Sequence, residues 1–222
     1  MKPTLILASA SPRRRELLAQ AGYCFEVQAS LVPESRRPEE DAIRFATRLA
    51  REKAEEVFAR RLASIKSIEV SAKLAQPLVV LGADTVVVCD GEILGKPGDA
   101  ADASRMLLLL SGRTHQVVTG VAVVWGSSTP AAVEVAAELT QVTMQTLSPQ
   151  EVARYVAGGE PMDKAGAYAI QGYAGRWIPR ISGCYFNVVG LPLSLVASML
   201  EGTQLHWASQ AGAVQSPDLS LR

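Results

Sequence analysis

The chain alternates between short, almost wholly apolar runs and longer stretches in which apolar residues recur every three or four positions. The short runs are rich in β-branched residues, which predicts buried strands, whereas the spaced pattern predicts helices. Strands are predicted at 4–8, 78–81, 86–89, 92–94, 116–125, 133–144, 167–170, 177–181 and 185–189. One helix is predicted to begin at residue 11, and further helices are predicted over 38–61, 99–110, 148–157 and 193–200.

The order of these elements predicts the fold class. Strands and helices alternate, with hairpin signals such as Asp90-Gly91 among them, which predicts an α/β fold with a mixed twisted sheet flanked by helices. A length of 222 residues suits one good core, so we predict a single domain over residues 1–201. Residues 62–77 are interpreted as a connecting segment and residues 202–222 as a flexible C-terminal tail.

Charge and cysteine content limit the classes of partner. Lys and Arg together number 22, as do Asp and Glu, so the net charge is zero and neither nucleic acid nor a membrane is a predicted partner. The three cysteines form no CxxC pair, which argues against a disulfide framework or a zinc site. No apolar run is long enough for a signal peptide or a membrane span. We therefore expect a cytoplasmic protein whose anion-binding site, if present, is local.

One predicted helix start carries an unusual charge. Residues 8–15 read ASASPRRR, which places three arginines where the helix dipole is positive. Residues 148–151, SPQE, have the same Ser-Pro opening with an acid in the first turn, as in a capping box. This turn combines small residues around Ser9, free N–H groups and guanidinium forks, which suit a phosphate cradle. The alternatives are a solvated basic turn and a basic patch that another partner recognises. Because successive helical side chains point about 100° apart, at most two of the arginines can serve one ligand.

Five further polar positions stand out. Asp84 interrupts the apolar run LVVLGADTVVVC and is interpreted either as a catalytic or metal-linked acid or as a structural turn aspartate. Lys53 lies on the apolar stripe of its helix and either serves a site or extends its ammonium to solvent. Lys96 lies in a tight Gly-Lys-Pro turn, and Glu34 by itself is an ordinary loop acid. Gln171 precedes a glycine loop, where its amide either reads a base edge or caps a turn.

Several enzyme classes have little support in the sequence. The chain has neither a GxxxxGK[ST] phosphate loop nor a GxGxxG fingerprint. It has two histidines, His115 and His206, and no G-x-S-x-G elbow, so a hydrolytic triad is not predicted. Residues 51–56 superficially match the Nudix helix, but Lys53 and Ile43 occupy positions where that pattern has an apolar residue and a glutamate.

These polar positions lie within stretches that closely resemble the Maf family of nucleoside triphosphate pyrophosphatases. The matching stretches are LASASPRRREL, the loop acid Glu34, RLAREKA, LGADTVVV, GEILGKP, LSGRTHQVVTGVAV, DKAGAYAIQG and NVVGLPL. They occur in order from about residue 4 to residue 200. The resemblance implies a fold similar to that of the family and of inosine triphosphatases, a single elongated domain with a central cleft. It also implies a nucleoside triphosphate as the partner.

The resemblance further implies the reaction, which is hydrolysis between the α- and β-phosphates to give a nucleoside monophosphate and pyrophosphate. The form DKAGAYAIQG is similar to the branch that hydrolyses dTTP and UTP, and also modified pyrimidine triphosphates, and so prevents misincorporation into nucleic acids. One alternative is the sister branch, which acts on 7-methyl-GTP and tends to carry glutamate at position 171. The other alternative is a regulator of cell division that binds nucleotides without hydrolysing them. Cys184 departs from the family pattern, in which serine is common.

The resemblance assigns a role to each of these residues. Asp84 is the expected general base, or orients the attacking water through a metal that Glu34 and Asp84 hold. The expected cation is Mg²⁺, Mn²⁺ or Co²⁺. Arg15 lies about 100° further round the helix than Arg14, so helix geometry, not the resemblance, predicts that it is a surface charge. A homodimer is expected by analogy with the family. The residues expected to bind the substrate or to set its choice are Ser9, Arg13, Arg14, Lys53, Thr85, Lys96 and Gln171.

Overall fold

The computed structural model describes residues 4–68 and 77–203. Within them, the strands are β1 (Thr4–Leu7), β2 (Glu26–Val27), β3 (Leu78–Cys89), β4 (Glu92–Leu94), β5 (Thr114–Gly126), β6 (Ala132–Thr143) and β7 (Arg180–Ser182). The α-helices are α1 (Pro12–Gln20), α2 (Ala42–Ile68), α3 (Ala100–Leu110), α4 (Pro149–Ala157), α5 (Tyr185–Val189) and α6 (Leu193–Gly202). Short 3₁₀ helices lie at Glu160–Asp163, Ala165–Ala167 and Tyr173–Trp177.

The strands that the structure describes form one mixed sheet in the order β2-β1-β3-β5-β6-β7, with β4 paired to β3. Strand β1 is parallel to both β2 and β3. The pairs β3 and β5, β5 and β6, and β6 and β7 are antiparallel, as are β3 and β4. The parallel pairs are joined through helices α1 and α2, and the antiparallel strands β5 and β6 by a short loop. The predicted α/β fold with a mixed sheet flanked by helices is therefore confirmed.

Helices cover both faces of the sheet because successive side chains of a strand point to opposite faces. Val80 and Ala122 pack with residues of α2 in one core. Leu81 and Val121 pack with residues of α1 and α6 in another core. A third core, towards the other end of β3 and β5, contains residues of α3 and α4 together with Trp177.

One edge of strand β3 is left open in the middle. Strand β1 pairs with β3 as far as Leu81, and β4 pairs with the same strand only from Val87 onwards. Asp84 and Thr85 lie in the interval between these two partners. The turn after β1 leads into α1 at this same edge, so the polar residues of β3 and the arginine-rich helix start come together here.

Two glycines let helix α2 lie close to the sheet. A Cβ atom at Gly82 would come within 2.2 Å of the Ala50 carbonyl oxygen, and one at Gly120 within 2.4 Å of the Ala46 carbonyl oxygen. Gly120 is also the residue of β5 that pairs with Asp84 in β3. The backbone of α2 therefore packs directly beside Asp84, which brings the side chains of this helix within reach of the carboxylate.

Several predicted boundaries were wrong in the first half of the chain. Residues 78–81 and 86–89 belong to one continuous strand, because Asp84 finds a partner within the fold and so does not interrupt the strand. Helix α2 begins at Ala42 and not at 38, and it continues to Ile68 through part of the predicted connecting segment. Residues 69–76 of that segment lie outside the described residues, as do residues 204–222 of the predicted tail.

The glycine-rich region between α4 and α6 differs most from the prediction. Of the three strands predicted there, only Arg180–Ser182 is a strand, and it is shifted from the predicted 177–181. Ala167 ends a 3₁₀ helix and residues 168–170 form no strand, whereas Tyr185–Val189 form helix α5 despite their aromatic and β-branched composition. Gly190, with φ of 123°, ends this helix after five residues. Tertiary packing thus overrides the strand propensity of residues 185–189.

Candidate active site

The open edge of β3 lies in a cavity of about 840 Å³. Pockets of roughly 300–1,000 Å³ are typical of small-molecule and cofactor sites. Eight of the residues predicted for the site line this cavity, although they are spread along the chain from position 9 to position 171: Ser9, Arg13, Arg14, Glu34, Asp84, Thr85, Lys96 and Gln171. The ninth, Lys53, lies behind the cavity wall and contacts two of them. The fold therefore brings together all the residues that the sequence singled out, although their roles stay predictions.

Lys53 joins two carboxylates from different parts of the chain. Its Nζ donates to Asp84 Oδ1 at 2.6 Å and to Glu34 Oε1 at 2.5 Å. Lys53 and Asp84 are 6% and 7% exposed, so the ammonium lies inside the protein and does not extend to solvent. The Lys96 ammonium donates to the other oxygen of Glu34 at 3.2 Å from the exposed side. A buried ion pair of this kind adds little net stability, because desolvation offsets its Coulomb energy.

The Glu34 carboxyl remains ionised far into the acid range. Partial burial by itself would raise its pKa, but the hydrogen bond from Lys53 and the charges of Lys53 and Lys96 outweigh burial and lower the pKa to about 2. Since the folded-state pKa is lowered, this carboxylate contributes stability above its ordinary value of 4.5 and loses it as the pH falls towards 2. At neutral pH, Glu34 is therefore a carboxylate held between Lys53 on the buried side and Lys96 on the exposed side.

Arg14 is held in the cavity by neutral oxygens. Its Nε donates to the Gly190 carbonyl at 2.8 Å, its Nη2 to Thr85 Oγ1 at 2.9 Å, and its Nη1 to Ser9 Oγ at 3.3 Å. Burial lowers the pKa of this guanidinium, and the negative charges of Asp84 and Glu34 oppose that change. Arginine nevertheless stays charged in proteins. Its charge is therefore oriented but not neutralised by its own hydrogen-bond partners, which is the state expected of an anion-binding group.

The other two arginines of the first turn differ from Arg14. Arg13 donates to the side chain of Asp163 at 3.2 Å and to the backbone carbonyl of the same residue at 3.3 Å. Arg15 is exposed. The 100° spacing of successive side chains thus gives three arginines three different environments, and two of them face the cavity.

The donor set at the base of the cavity is compatible with a hard divalent cation that uses few protein ligands. Within residues 4–68 and 77–203, no group of three or more His, Cys, Asp or Glu residues is placed to hold a metal. Asp84 and Glu34 are nevertheless both within hydrogen-bonding distance of one ammonium nitrogen, so their oxygens lie near one another. Mg²⁺ usually binds through one or two carboxylates plus substrate phosphates, and this pair satisfies that requirement.

The structure also reveals residues that the sequence reasoning missed. Asp163 pairs with Arg13 and is the first residue of the matching stretch DKAGAYAIQG. Its place in that stretch is the signal that could have identified it. Thr119 and Asn187 are fully buried polar residues behind Thr85. Thr119 hydrogen-bonds Thr85, and Asn187 in turn accepts from Thr119, and the sequence gives no sign of either contact. His115 hydrogen-bonds the Tyr168 hydroxyl at 2.8 Å, and burial lowers its pKa to about 4. It is therefore neutral at pH 7, and it lies in the buried interior.

The fold and the cavity define an α/β protein with a cation-lined cleft of about 840 Å³ beside the gap in the pairing of the central strand β3. The family model described as "Maf-like protein" matches residues 4–203, and the chain belongs to this family. This result confirms the resemblance seen in the motifs. Within the described parts of the chain, no helix has both the length and the apolar composition that crossing a membrane requires.

Curated relatives cover most of the chain. A protein of Koribacter versatilis named "dTTP/UTP pyrophosphatase" is 48% identical over 196 residues, which is 88% of this chain and 92% of the relative. A protein of the same name from Salmonella typhimurium is 50% identical over 190 residues, covering 86% and 88% of the two chains. A third, from Vibrio cholerae, is 49% identical over 189 residues, covering 85% and 92%.

Proposed function

We propose that this protein is a nucleoside triphosphate pyrophosphatase that hydrolyses dTTP and UTP to the monophosphate and pyrophosphate. The observation that carries the proposal is the cleft itself, in which the oriented guanidinium of Arg14 lies beside the buried pair Asp84 and Lys53. The names of the relatives support the same activity and the same pair of substrates. We place this activity in the cytoplasm.

In the proposed reaction, a water oxygen attacks the α-phosphorus and the bond from that phosphorus to the bridging oxygen of the β-phosphate breaks. Asp84 accepts the proton of the water. Lys53 holds Oδ1 of this carboxylate, so the side chain is fixed in one orientation before substrate arrives. Pyrophosphate leaves with the bridging oxygen, and the nucleoside monophosphate retains the new oxygen. A fixed carboxylate and fixed cations stabilise this displacement chiefly by positioning and electrostatics.

The charge of the substrate is assigned to cations from two parts of the chain. Arg14, and Arg13 beside it, lie at the start of α1, while Lys96 reaches in from the exposed side. A triphosphate carries several negative charges, and guanidinium groups bind phosphate oxygens through charge-assisted hydrogen bonds. Ser9 lies in the same turn and supplies a hydroxyl group close to Arg14. The role of these residues is therefore to bind and orient the phosphates.

A divalent cation, Mg²⁺, Mn²⁺ or Co²⁺, is proposed as the cofactor. Asp84 and Glu34 would hold it together with substrate phosphates. When bound, it would supply neutralisation of the developing negative charge. The Glu34 oxygen that bonds Lys96 would then be available to the cation, because this ion pair is exposed to solvent.

Base selection is assigned to Gln171 and Thr85. Gln171 is exposed at the cavity wall, and its amide has both a donor and an acceptor, which match the O4 and N3–H edge of uracil or thymine. We expect Gln171→Glu to lower activity with dTTP and UTP, because the carboxylate lacks the amide donor. Equal loss with every triphosphate would argue against a base-reading role. Gln141→Glu, the same change at an exposed position of β6, is the matched control.

The proposal is tested by measuring pyrophosphate release from a panel of ordinary and modified triphosphates, each with Mg²⁺, Mn²⁺ or Co²⁺. Release from dTTP and UTP supports it, preference for 7-methyl-GTP would favour the sister branch, and nucleotide binding without release would favour a regulator. The homodimer expected from the family stays a prediction, which light scattering of the purified protein tests.

Asp84→Asn gives the sharpest single variant for the proposed mechanism. We expect it to remove nearly all turnover while nucleotide binding stays measurable, because the amide cannot accept the proton. Lys53 keeps Glu34 as a partner in this variant, so the fold is expected to be retained. Asp90→Asn makes the same chemical change at the exposed hairpin at the end of β3 and should leave turnover intact. Wild-type turnover in Asp84→Asn would exclude this residue as the base.

A further inference from the structure

A chain of hydrogen bonds runs from the cavity into the protein interior behind Arg14. Arg14 Nη2 lies 2.9 Å from Thr85 Oγ1, and Thr85 Oγ1 lies 2.9 Å from Thr119 Oγ1. Thr119 Oγ1 in turn lies 3.2 Å from the backbone carbonyl oxygen of Asn187. Thr119 has no exposed surface, so its hydroxyl has no access to bulk water.

The two ends of this chain fix the direction of the bond in its middle. A guanidinium can only donate and a carbonyl can only accept, whereas each threonine hydroxyl has one proton to donate. Thr119 donates its proton to the Asn187 carbonyl, so it must accept from Thr85. Thr85 therefore donates inwards and turns an oxygen lone pair towards Arg14. Every proton in the chain points away from the cavity, and Thr85 is held as an acceptor for the guanidinium.

The inner end of this hydrogen-bond chain, Asn187, is itself held by buried hydrogen bonds. The Asn187 side chain is fully buried, and its Nδ2 donates to the Val117 carbonyl at 3.0 Å and to Thr140 Oγ1 at 2.9 Å. The Gly190 carbonyl, just beyond the end of the same helix α5, accepts from Arg14 Nε at 2.8 Å. Helix α5 thus holds the guanidinium by two routes, directly through Gly190 and indirectly through the two threonines.

We propose that Thr119 is a positioning residue for the phosphate-binding guanidinium: it orients the Thr85 hydroxyl and thereby fixes Arg14. This inference rests on the proposed function, because it assumes that Arg14 binds the triphosphate. Thr119 itself has no contact with the cavity and lies on the neighbouring strand, in register with Thr85. The expected signature is a change in nucleotide affinity that requires Arg14.

The test compares Thr119→Val with wild type for UTP hydrolysis and for UTP binding, the latter in the Asp84→Asn background, where turnover is blocked. Valine keeps the shape and removes the hydroxyl, so we expect KM and Kd to rise about three- to tenfold, the value of one or two neutral hydrogen bonds, with little change in kcat. Thr119→Ser keeps the hydroxyl and should restore wild-type values. In an Arg14→Ala background, Thr119→Val should have no further effect on Kd.

A matched control comes from another cross-strand threonine pair in the same sheet. Thr114 of β5 and Thr143 of β6 share a hydrogen bond of 3.0 Å outside the cavity lining, and Thr114→Val should leave KM unchanged. If Thr119→Val does not fold, Thr119→Cys, with a thiol as a weak donor, replaces it in the same comparisons.

Two outcomes would overturn the inference. One is an unchanged Kd in Thr119→Val, and the other is an equal rise in Kd with and without Arg14. Failure of the proposed function has a different signature, because wild type would then release no pyrophosphate from any nucleotide, whatever the behaviour of Thr119→Val in the binding assay.

Discussion

The starts of helices α1 and α4 share a Ser-Pro opening and differ in the charge of their first turn. Both have serine at the N-cap and proline at the first helical position, but the third position is Arg14 in α1 and Glu151 in α4. In α4, the Glu151 amide donates to Ser148 Oγ at 3.3 Å, and the Ser148 amide donates to Glu151 Oε2 at 2.9 Å. In α1, the Arg14 amide lies 3.5 Å from Ser11 Oγ, and the first turn contains no acid.

This difference separates a helix start that is complete by itself from one that is open to a ligand. The α4 start satisfies its N–H groups and its dipole with its own serine and glutamate. At the α1 start, the Arg14 side chain points into the cavity and donates hydrogen bonds to neutral oxygens there. An exposed cation in a first turn is unfavourable by roughly 0.3–1 kcal/mol. An anion bound in front of α1 would therefore relieve an unfavourable arrangement, whereas one in front of α4 would meet Glu151.

The largest effect is expected when Arg14 is removed. Arg14→Ala should weaken UTP binding by about 10- to 100-fold, because a charge-assisted contact to phosphate is lost, as isothermal titration in the Asp84→Asn background would measure. The melting temperature should change little, since water can replace the guanidinium in the cavity.

Arg15→Ala is the matched control for Arg14→Ala. It removes the same charge from the same turn at an exposed position, and we expect it to leave UTP binding unchanged. Equal losses in the two variants would show that only the net charge of the turn matters, and the contrast between the two helix starts would then lose its meaning.

The sequence was sufficient to identify both helix starts, because capping signals are local. Ser-Pro followed by Glu or by Arg is visible within four residues, and the resulting α1 and α4 lie where these signals place them. The alternation of elements was likewise enough to predict the α/β class. Asp84, an acid within an apolar run, could be recognised as unusual for the same reason, since the run and its exception are adjacent.

Contacts that depend on register and on packing could not be predicted. Whether Lys53 extends to solvent or pairs with Asp84 depends on how closely α2 approaches the sheet. Gly82 in β3 and Gly120 in β5 permit this approach, and both are far from Lys53 in the sequence. The Thr85 to Thr119 bond joins residues 34 positions apart. Helix α5 was mistaken for a strand because its conformation is decided by tertiary contacts of Asn187 and not by local propensity.

Arg13 provides a smaller test of the α1 start. Its guanidinium faces the cavity but is shared with Asp163, whose side chain is 62% exposed. Arg13→Ala should therefore weaken UTP binding by only about threefold, without loss of thermal stability, because exposed ion pairs contribute little to folding. Asp163→Asn should leave binding equal or tighter, since it frees the guanidinium. A marked fall in the melting temperature of Arg13→Ala would indicate a structural arginine instead.

The N-cap serines should differ in their contribution to stability. Ser148 Oγ accepts from the Glu151 amide and also donates to Glu151 Oε2 at 2.8 Å, whereas Ser11 has the single long contact to the Arg14 amide. Ser148→Ala should cost about 1 kcal/mol of unfolding free energy and Ser11→Ala about 0.5 kcal/mol. Chemical denaturation of both variants measures this, and an equal or larger loss for Ser11→Ala would contradict the contrast.

The smallest expected effect concerns pH. Of the two helix starts, α4 has a carboxyl group in its first turn and α1 has none. Hydrogen bonds from the backbone and side chain of Ser148 lower the pKa of the Glu151 carboxyl from 4.5. A lowered folded-state pKa means that the cap stabilises the protein above the ordinary value, and that this stability is lost as the pH falls through the folded-state pKa. Glu151→Gln should therefore make the decline of the melting temperature as the pH falls below 4.5 shallower than in wild type. An unaltered slope in Glu151→Gln would show that the capping box contributes nothing through its charge.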